Sequence, residues 1–262
     1  MRKILSIVLS LCLLLGFGAL AVQAQTNPEP AGYVYIMVDA NVLGAGVLYG
    51  PARVYFYEGE SAMDATVRFL GDNVIGADMG FVSGIVLPRN ITVNVPAPIA
   101  EALAAVDATF PAAGPTQAGQ TLGSGHVAAW AGWTYNVNNE QPDFFAGAAA
   151  LEQGDVIRWE FTLRAGVCIG FDDTWDGTPA FVPRVDRSEL IAAVAGTDAA
   201  HPAELSNILA TQAEVDEALA AVLAGNSGSC IWLNLLAIGG IVLLSLVSGF
   251  AIFRFVRILA NM

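Results

Sequence analysis

The feature that most constrains this chain is a run of 23 residues without a charge, Ile231–Phe253. About 20 apolar residues in a helix are enough to cross the hydrocarbon core of a bilayer. Arg254 and Arg257 follow the run directly, and positive residues favour the cytoplasmic side of a membrane. We therefore predict one transmembrane helix over 231–253, a cytoplasmic tail over 254–262, and a body that faces outward.

The other end of the sequence is ordered like a secretory signal peptide. Arg2 and Lys3 precede an apolar stretch over residues 4–21, and small residues lead to Ala24. A basic start, an apolar stretch and small residues at a cleavage site are typical of such peptides. We expect a signal peptide over 1–24; the alternative is an uncleaved membrane anchor. The expected location is the cell membrane, with the body of the chain extracellular.

The charges of the chain are concentrated in its middle. All 24 Asp and Glu residues lie between Glu29 and Glu217, together with only seven of the 11 Lys and Arg residues. An acidic body repels the phosphates of DNA and RNA, so we expect no nucleic-acid partner. Charged residues make up 13% of the chain, about half the usual share in a soluble protein. This low share agrees with an acidic body between two apolar ends.

Two cysteines lie outside the expected signal peptide, Cys168 and Cys230. Outside the cytoplasm they could form a disulfide, which would hold residue 168 close to the membrane surface because Cys230 directly precedes the transmembrane run. Two free thiols are the alternative, because sequence does not define the required geometry.

The middle of the chain predicts a small α+β fold. Tyr33–Val38, Ala52–Tyr57 and Val156–Phe161 have strand composition, rich in aromatic and β-branched residues. Ser61 followed three residues later by Asp64 predicts a capped helix start. Strands on both sides of one helix favour a mixed sheet that packs against that helix.

Residues 82–125 contain further strands and then an insertion. One or two strands are expected over Val82–Val95, broken by Pro88. Beyond them, 96–125 is interpreted as an insertion over the sheet, formed by a helix and a loop. The helix is predicted from apolar residues at helical spacing: Ile99, Leu103, Val106 and Phe110.

Residues 132–162 resemble the transcobalamin-like C-terminal domain family, which belongs to the soluble-ligand-binding β-grasp group of bacterial surface proteins. The similarity is an aromatic strand, a turn with Asn138, a Gly-Ala stretch and a second strand after a Gly-Asp pair. The matching residues are Trp133, Tyr135, Val137, Asn138, Gly147, Gly154, Asp155, Ile157, Trp159 and Thr162. Asn139 and Phe161 replace the usual Gly and Tyr.

The resemblance extends over residues 33–172 and implies a β-grasp domain. The helix motif near Ser61 fits the family, and Gly166–Gly170 resembles its closing motif with Cys168 in place of Asp. In animal cobalamin carriers the similar domain closes over a corrinoid with a second, helical domain. That implies cobalamin or another corrinoid as the ligand here. The insertion at 96–125 departs from the family pattern.

Two later segments, Val185–Leu190 and Thr211–Ala221, resemble the first and last helices of the FIVAR module, a three-helix spacer of bacterial surface proteins. The resemblance implies a short helical stalk over 183–228, between the domain and the membrane. An unrelated pair of Ala-rich helices is the alternative.

The candidate ligand-binding residues are Trp133, Tyr135, Asn136 and Asn138. By alternation, Trp133 and Tyr135 share one face of a strand, where they form either core or a platform for a ligand. Asn136 and Asn138, on the opposite face, could supply directional hydrogen bonds. We assign Trp159 to the core.

No combination of residues predicts catalysis. His126 and His201 lie far apart without metal-ligand spacing, and Ser124 lacks the context of a catalytic nucleophile. The acidic segment 172–177 resembles the start of a calcium loop, but Pro183 stands where such a loop needs a bidentate Glu. We favour a solvated acidic turn over a loose calcium site. We expect no enzyme activity, no required cofactor and no metal.

Two functions remain open at this point. The first is a membrane-anchored extracellular module that captures a small ligand, a corrinoid first of all, and passes it to a transporter. The second is a structural or adhesive surface protein that binds another protein or a polymer of the envelope. A concave, aromatic-lined pocket beside residues 133–138 would favour the first, and a flat closed sheet the second.

Overall fold

Strands and helices alternate along the chain in the computed structural model, which describes residues 28–77, 80–197 and 200–225. The strands are β1 (Gly32–Asp39), β2 (Val47–Phe56), β3 (Val74–Ile75), β4 (Gly84–Val86), β5 (Thr121–Gly123), β6 (Gly132–Val137) and β7 (Val156–Thr162). The helices are α1 (Ala62–Leu70), α2 (Ala97–Val106), α3 (Ser188–Val194) and α4, which covers residues 212–225. The predicted α+β class is confirmed.

The main sheet has four strands in the order β2-β1-β7-β6. β1 pairs with β2 in antiparallel fashion and with β7 in parallel, and β6 pairs antiparallel with β7. The expected mixed sheet is therefore present. Among the described strands, β6 pairs only with β7, so its other side forms one edge of the sheet.

Helix α1 covers one face of this sheet. Its start is the predicted capping box: the Ser61 Oγ accepts a hydrogen bond from the Asp64 amide, and the Asp64 carboxylate accepts one from the Ser61 amide. Met63 and Leu70 of the helix are buried with Ile36 of β1. The Trp159 indole N–H donates to Thr66 Oγ1 at 2.9 Å. The assignment of Trp159 to the core is thus confirmed.

Helices α3 and α4 cover the opposite face of the sheet. Leu190 and Ile191 of α3 and Val215 of α4 are buried with Met37 of β1 and Val156 of β7. An apolar helix face has to be shielded from water, and here the sheet shields it. The segment expected as a stalk over 183–228 is helical in part, but over its described residues it packs as a layer of the domain. For these described residues the predicted stalk is corrected to a layer that packs on the main sheet.

The segment interpreted as an insertion contains more order than a helix and a loop. α2 forms as predicted and buries Ile99 and Leu103, although it ends at Val106, so that Phe110 lies beyond it. At the end of the segment β5 pairs with β4, and β4 pairs with β3 in a second, three-stranded sheet. Residues 82–95 supply only β4 to this sheet, one short strand.

Several predictions concern residues outside the described part of the chain. These are the signal peptide over 1–24, the transmembrane helix over 231–253, the cytoplasmic tail over 254–262, and Cys230. Among residues 28–77, 80–197 and 200–225, no helix is long and apolar enough to cross a bilayer. The two membrane-related segments therefore stay predictions.

Candidate functional site

An open groove of about 1260 Å³ runs along the edge strand β6. Its wall is formed by residues 132–135 of that strand, and the loops 139–146 and 171–176 form its sides. Thr162, Arg164 and Ala165, where β7 ends, also line it. The groove is therefore built where the edge of the main sheet meets loops that belong to no strand.

Aromatic rings exposed to solvent surround this groove. Trp175 is 92% exposed, Trp130 68% and Phe145 66%, and the rings of Phe144 and Phe81 are also exposed. The domain thus gathers large apolar side chains at one place on its surface. Exposed apolar patches of this kind are typical of interaction sites, which makes the groove the candidate site.

Trp133 and Tyr135 contribute to the wall of the groove, as the sequence suggested for a platform. The Trp133 ring packs edge-on against Phe161, with ring centroids 5.3 Å apart, and its indole N–H donates to the Leu122 carbonyl at 2.8 Å. The Tyr135 hydroxyl donates to the Phe144 carbonyl at 2.6 Å. Both side chains therefore serve two roles, as packed parts of the core and as lining of the groove.

Burial raises the pKa of Tyr135 to about 12. Its phenol is therefore neutral at physiological pH, and its one O–H is already donated to Phe144. Tyr135 offers the groove an apolar ring face with no charge.

The structure directs Asn136 and Asn138 away from the groove. Asn136 is buried, and its Nδ2 donates to Glu160 Oε2 at 2.7 Å. Asn138 donates to Asp155 Oδ1 at 2.8 Å and accepts from the Val156 amide at 2.9 Å. Their hydrogen-bonding groups are used inside the fold. Of the four predicted binding residues, the groove brings together only Trp133 and Tyr135.

The predicted turn at Asn138-Asn139 is present and shapes one side of the groove. Both residues have positive φ, 50° and 67°, a conformation that Asn tolerates. The turn directs the chain back along β6, where Gln141 Nε2 donates to Thr134 Oγ1 at 2.9 Å. Residues 139–146 are thereby held beside the open edge of the sheet.

The acidic segment 172–177 forms a turn whose carboxylates bind its own backbone. Asp173 accepts from the Trp175 amide and Asp176 from the Thr178 amide, at 2.8 and 2.9 Å. This network presents Trp175 to solvent at the mouth of the groove. Within the described residues, no group of three or more His, Cys, Asp or Glu side chains could hold a metal ion.

A second concentration of polar groups is buried on the other face of β7. Arg158 Nε donates to Asp39 Oδ2 at 2.8 Å, and Arg184 Nη1 donates to Glu160 Oε2 at 2.7 Å. Burial raises the pKa of Asp39 and lowers that of Arg184. None of these four residues lines the groove. We therefore interpret the cluster as a connection between the sheet and the segment that follows residue 183.

Cys168 lies in the core behind the groove. It is fully buried, and burial raises the pKa of its thiol to about 12. Cys230 lies outside the described residues, so their pairing stays a prediction. His126 accepts from the Gly123 amide at 3.0 Å, and His201 lies exposed in a different part of the chain.

Sequence reasoning missed most of the residues that ring the groove. Trp130 and Trp175 lie in loops, where alternation assigns no face. The adjacent pair Phe144 and Phe145 was the available signal, because two consecutive aromatic residues in a polar loop cannot both be buried easily. Phe81 packs beside Phe145, with ring centroids 6.3 Å apart.

Comparison with known proteins gives one partial match. A family model described as a domain of unknown function, DUF4430, matches residues 117–162; it is a transcobalamin-like domain family. The matched region contains β5, β6 and the whole of β7, but it is a minor part of the chain. It does not reach 183–228, and nothing supports the FIVAR resemblance there. No curated protein and no solved structure gives a significant match.

Proposed function

We propose that this chain is a membrane-anchored extracellular module that captures a small ring-shaped ligand, with cobalamin or a related corrinoid as the leading candidate. The observation that carries the proposal is the open, aromatic-lined groove beside β6. It is the kind of pocket that the sequence interpretation named as favouring ligand capture. The apolar runs at 4–21 and 231–253, with the arginines that follow the second run, are the basis for anchoring the chain in the membrane and placing its body outside the cell.

The volume of the groove is large enough for a macrocyclic ligand. At about 1260 Å³ it exceeds the roughly 300–1,000 Å³ of common small-molecule pockets. Exposed indole and phenyl faces at Trp130, Trp175 and Phe145 could pack against the two sides of a macrocycle. An open groove covers only part of such a ligand, so we expect weak binding and transfer to a partner such as a transporter.

The order of elements supports the same proposal. The first and last strands of the main sheet, β1 and β7, are central and parallel, and α1 packs across one face. We interpret this as a β-grasp-like arrangement, in line with the partial match to a transcobalamin-like family at residues 117–162. In that interpretation α3 and α4 are an added layer on the far face.

The test is calorimetric titration of the purified full chain, in non-ionic detergent, with cobinamide and with cobalamin. We expect saturable heat. Trp130→Ala and Trp175→Ala should each weaken binding about fivefold, because stacking on one ring contributes on the order of 1 kcal/mol. Tyr55→Ala removes an exposed aromatic ring on β2, at the opposite edge of the main sheet and outside the groove lining, and should change nothing. No heat with either ligand at millimolar concentration would refute corrinoid capture.

The second candidate function is adhesion to another protein or polymer of the envelope. It is favoured by the degree of exposure of Trp175 and Phe145, since exposed aromatic residues are enriched at protein interfaces. A partner captured from the cell envelope should then survive extensive dialysis, and its capture should be lost with Trp175→Ala. Retention of capture by that variant would count against adhesion through the groove.

A further inference from the structure

We infer that the groove selects a positively charged ligand, one that carries a compact cation on an aromatic or other flat apolar ring. The inference rests on the proposed function, because it assumes that the groove binds a small molecule. It adds the charge of that molecule, which the proposed function leaves open.

The first support is the charge balance of the lining. Acidic side chains from two separate loops line the groove: Glu140, Asp143, Asp172, Asp173 and Asp176. Among the lining residues the one basic side chain is Arg164, and its Nη2 lies 2.5 Å from Asp176 Oδ2. The positive charge of Arg164 is thus compensated within the protein, and the remaining acidic groups face a ligand without a cationic counterpart.

The second support is that two of these carboxylates are not used by the fold. Asp173 and Asp176 accept hydrogen bonds from backbone amides of their own turn. Glu140 and Asp143 are exposed, and their carboxylates make no hydrogen bond or ion pair with a described residue. A carboxylate without a structural role at the side of an aromatic groove can interact with a bound cation.

The third support is the chemistry of the rings. The face of an aromatic ring attracts a cation, and indole does so most strongly. One ring of the lining already makes such a contact, because the Arg184 guanidinium lies 4.2 Å from the centroid of Phe171. Exposed indoles and carboxylates therefore both favour a cationic ligand, whereas an anionic ligand would be repelled by Glu140 and Asp143.

The test compares three probes that share one naphthalene ring and differ in charge: 1-naphthylmethylammonium, 1-naphthalenemethanol and 1-naphthoate. Each is titrated calorimetrically into the full chain in non-ionic detergent. We expect the ammonium probe to bind about fivefold more tightly than the alcohol, and the carboxylate most weakly, because a unit charge interacts with a nearby carboxylate even through water. The preference should shrink in 0.5 M NaCl, a concentration chosen to shorten the Debye length to about 4 Å.

Matched variants locate the effect in the groove. Glu140→Gln/Asp143→Asn should weaken the ammonium probe about fivefold and leave the alcohol unchanged. Glu58→Gln/Asp72→Asn removes two exposed carboxylates outside the groove lining, alters the net charge equally, and should leave all three probes unchanged.

Equal affinities for the three probes, tighter binding of the carboxylate, or the same loss in both double variants would overturn the inference. So would the absence of binding by any probe. Failure of the proposed function is read separately, as absence of heat with cobinamide and cobalamin. A chain that binds cobinamide but treats the naphthalene probes alike keeps the proposed function and loses the charge preference.

Discussion

At the scale of single residues, hydrogen bonding inside the fold determines which polar side chains of β6 are left for a ligand. Trp133 and Tyr135 alternate with Thr134 and Asn136, as the sequence indicated. Tyr135 lines the groove, whereas Asn136 donates to Glu160 inside the fold. A buried amide needs a hydrogen-bond partner, and Glu160 meets that need. The polar residues that looked suited to binding therefore stabilise the sheet.

Cys168 supplies a prediction at this scale. Burial raises the pKa of its thiol from 9.0 to about 12, so above pH 9 the unfolded chain releases a proton that the folded chain keeps. Stability should therefore fall as pH rises from 9 towards 12. Between pH 8 and 10 the ionisation of this thiol should lower the free energy of unfolding by about 1.4 kcal/mol. Urea titrations under reducing conditions measure it.

The comparison for Cys168 is Cys168→Ala, which lacks the ionisable thiol. It should be less stable at pH 8 because it leaves a small cavity, and its stability should fall less steeply between pH 8 and 10. Parallel pH profiles of the two proteins would show that the thiol ionises as readily in the folded state as in the unfolded state.

At the scale of elements, the buried charges on β7 hold the segment after residue 183 against the sheet. Glu160 accepts from both Asn136 and Arg184, and it lies 2.9 Å from Arg158 Nη2. Removal of one member of a buried ion pair is destabilising, because the other charge then stays buried without compensation.

Glu160→Gln should therefore destabilise the protein by about 3 kcal/mol. The matched control is Glu60→Gln, which breaks the partly exposed pair of Glu60 with Arg68 and should cost less than about 1 kcal/mol. The measurement is the free energy of unfolding of both variants in urea at neutral pH. Similar small losses in the two variants would show that Arg184 does not depend on Glu160 for compensation.

At the scale of the whole molecule, α3 and α4 form the outer layer of the main sheet. Leu190 and Ile191 are buried against β1 and β7, although the sequence of 183–228 resembled an independent spacer. A spacer could be altered without consequence for the domain. A change in a packed layer should destabilise the domain, because the layer shields the apolar face of the sheet from water.

Leu190→Ala should lower the free energy of unfolding of the whole domain by about 3 kcal/mol, the usual cost of a buried cavity. Leu209→Ala, in the same segment but exposed, should change it by less than about 0.5 kcal/mol. Urea denaturation followed by far-ultraviolet circular dichroism reports on the secondary structure of the whole domain. An unchanged midpoint for Leu190→Ala would mean that α3 is not part of the cooperative unit.

The sequence by itself determined the features that depend on near neighbours. These are the capping box at Ser61, the turn at Asn138 and the helical face of α2, each governed by side-chain spacing or by hydrogen bonds over a few residues. Only the tertiary structure decided where the groove lies and what α3 covers. Phe81, Trp130 and Trp175 are distant along the chain, and which of them share a surface depends on how strands and loops pack, which no local pattern encodes.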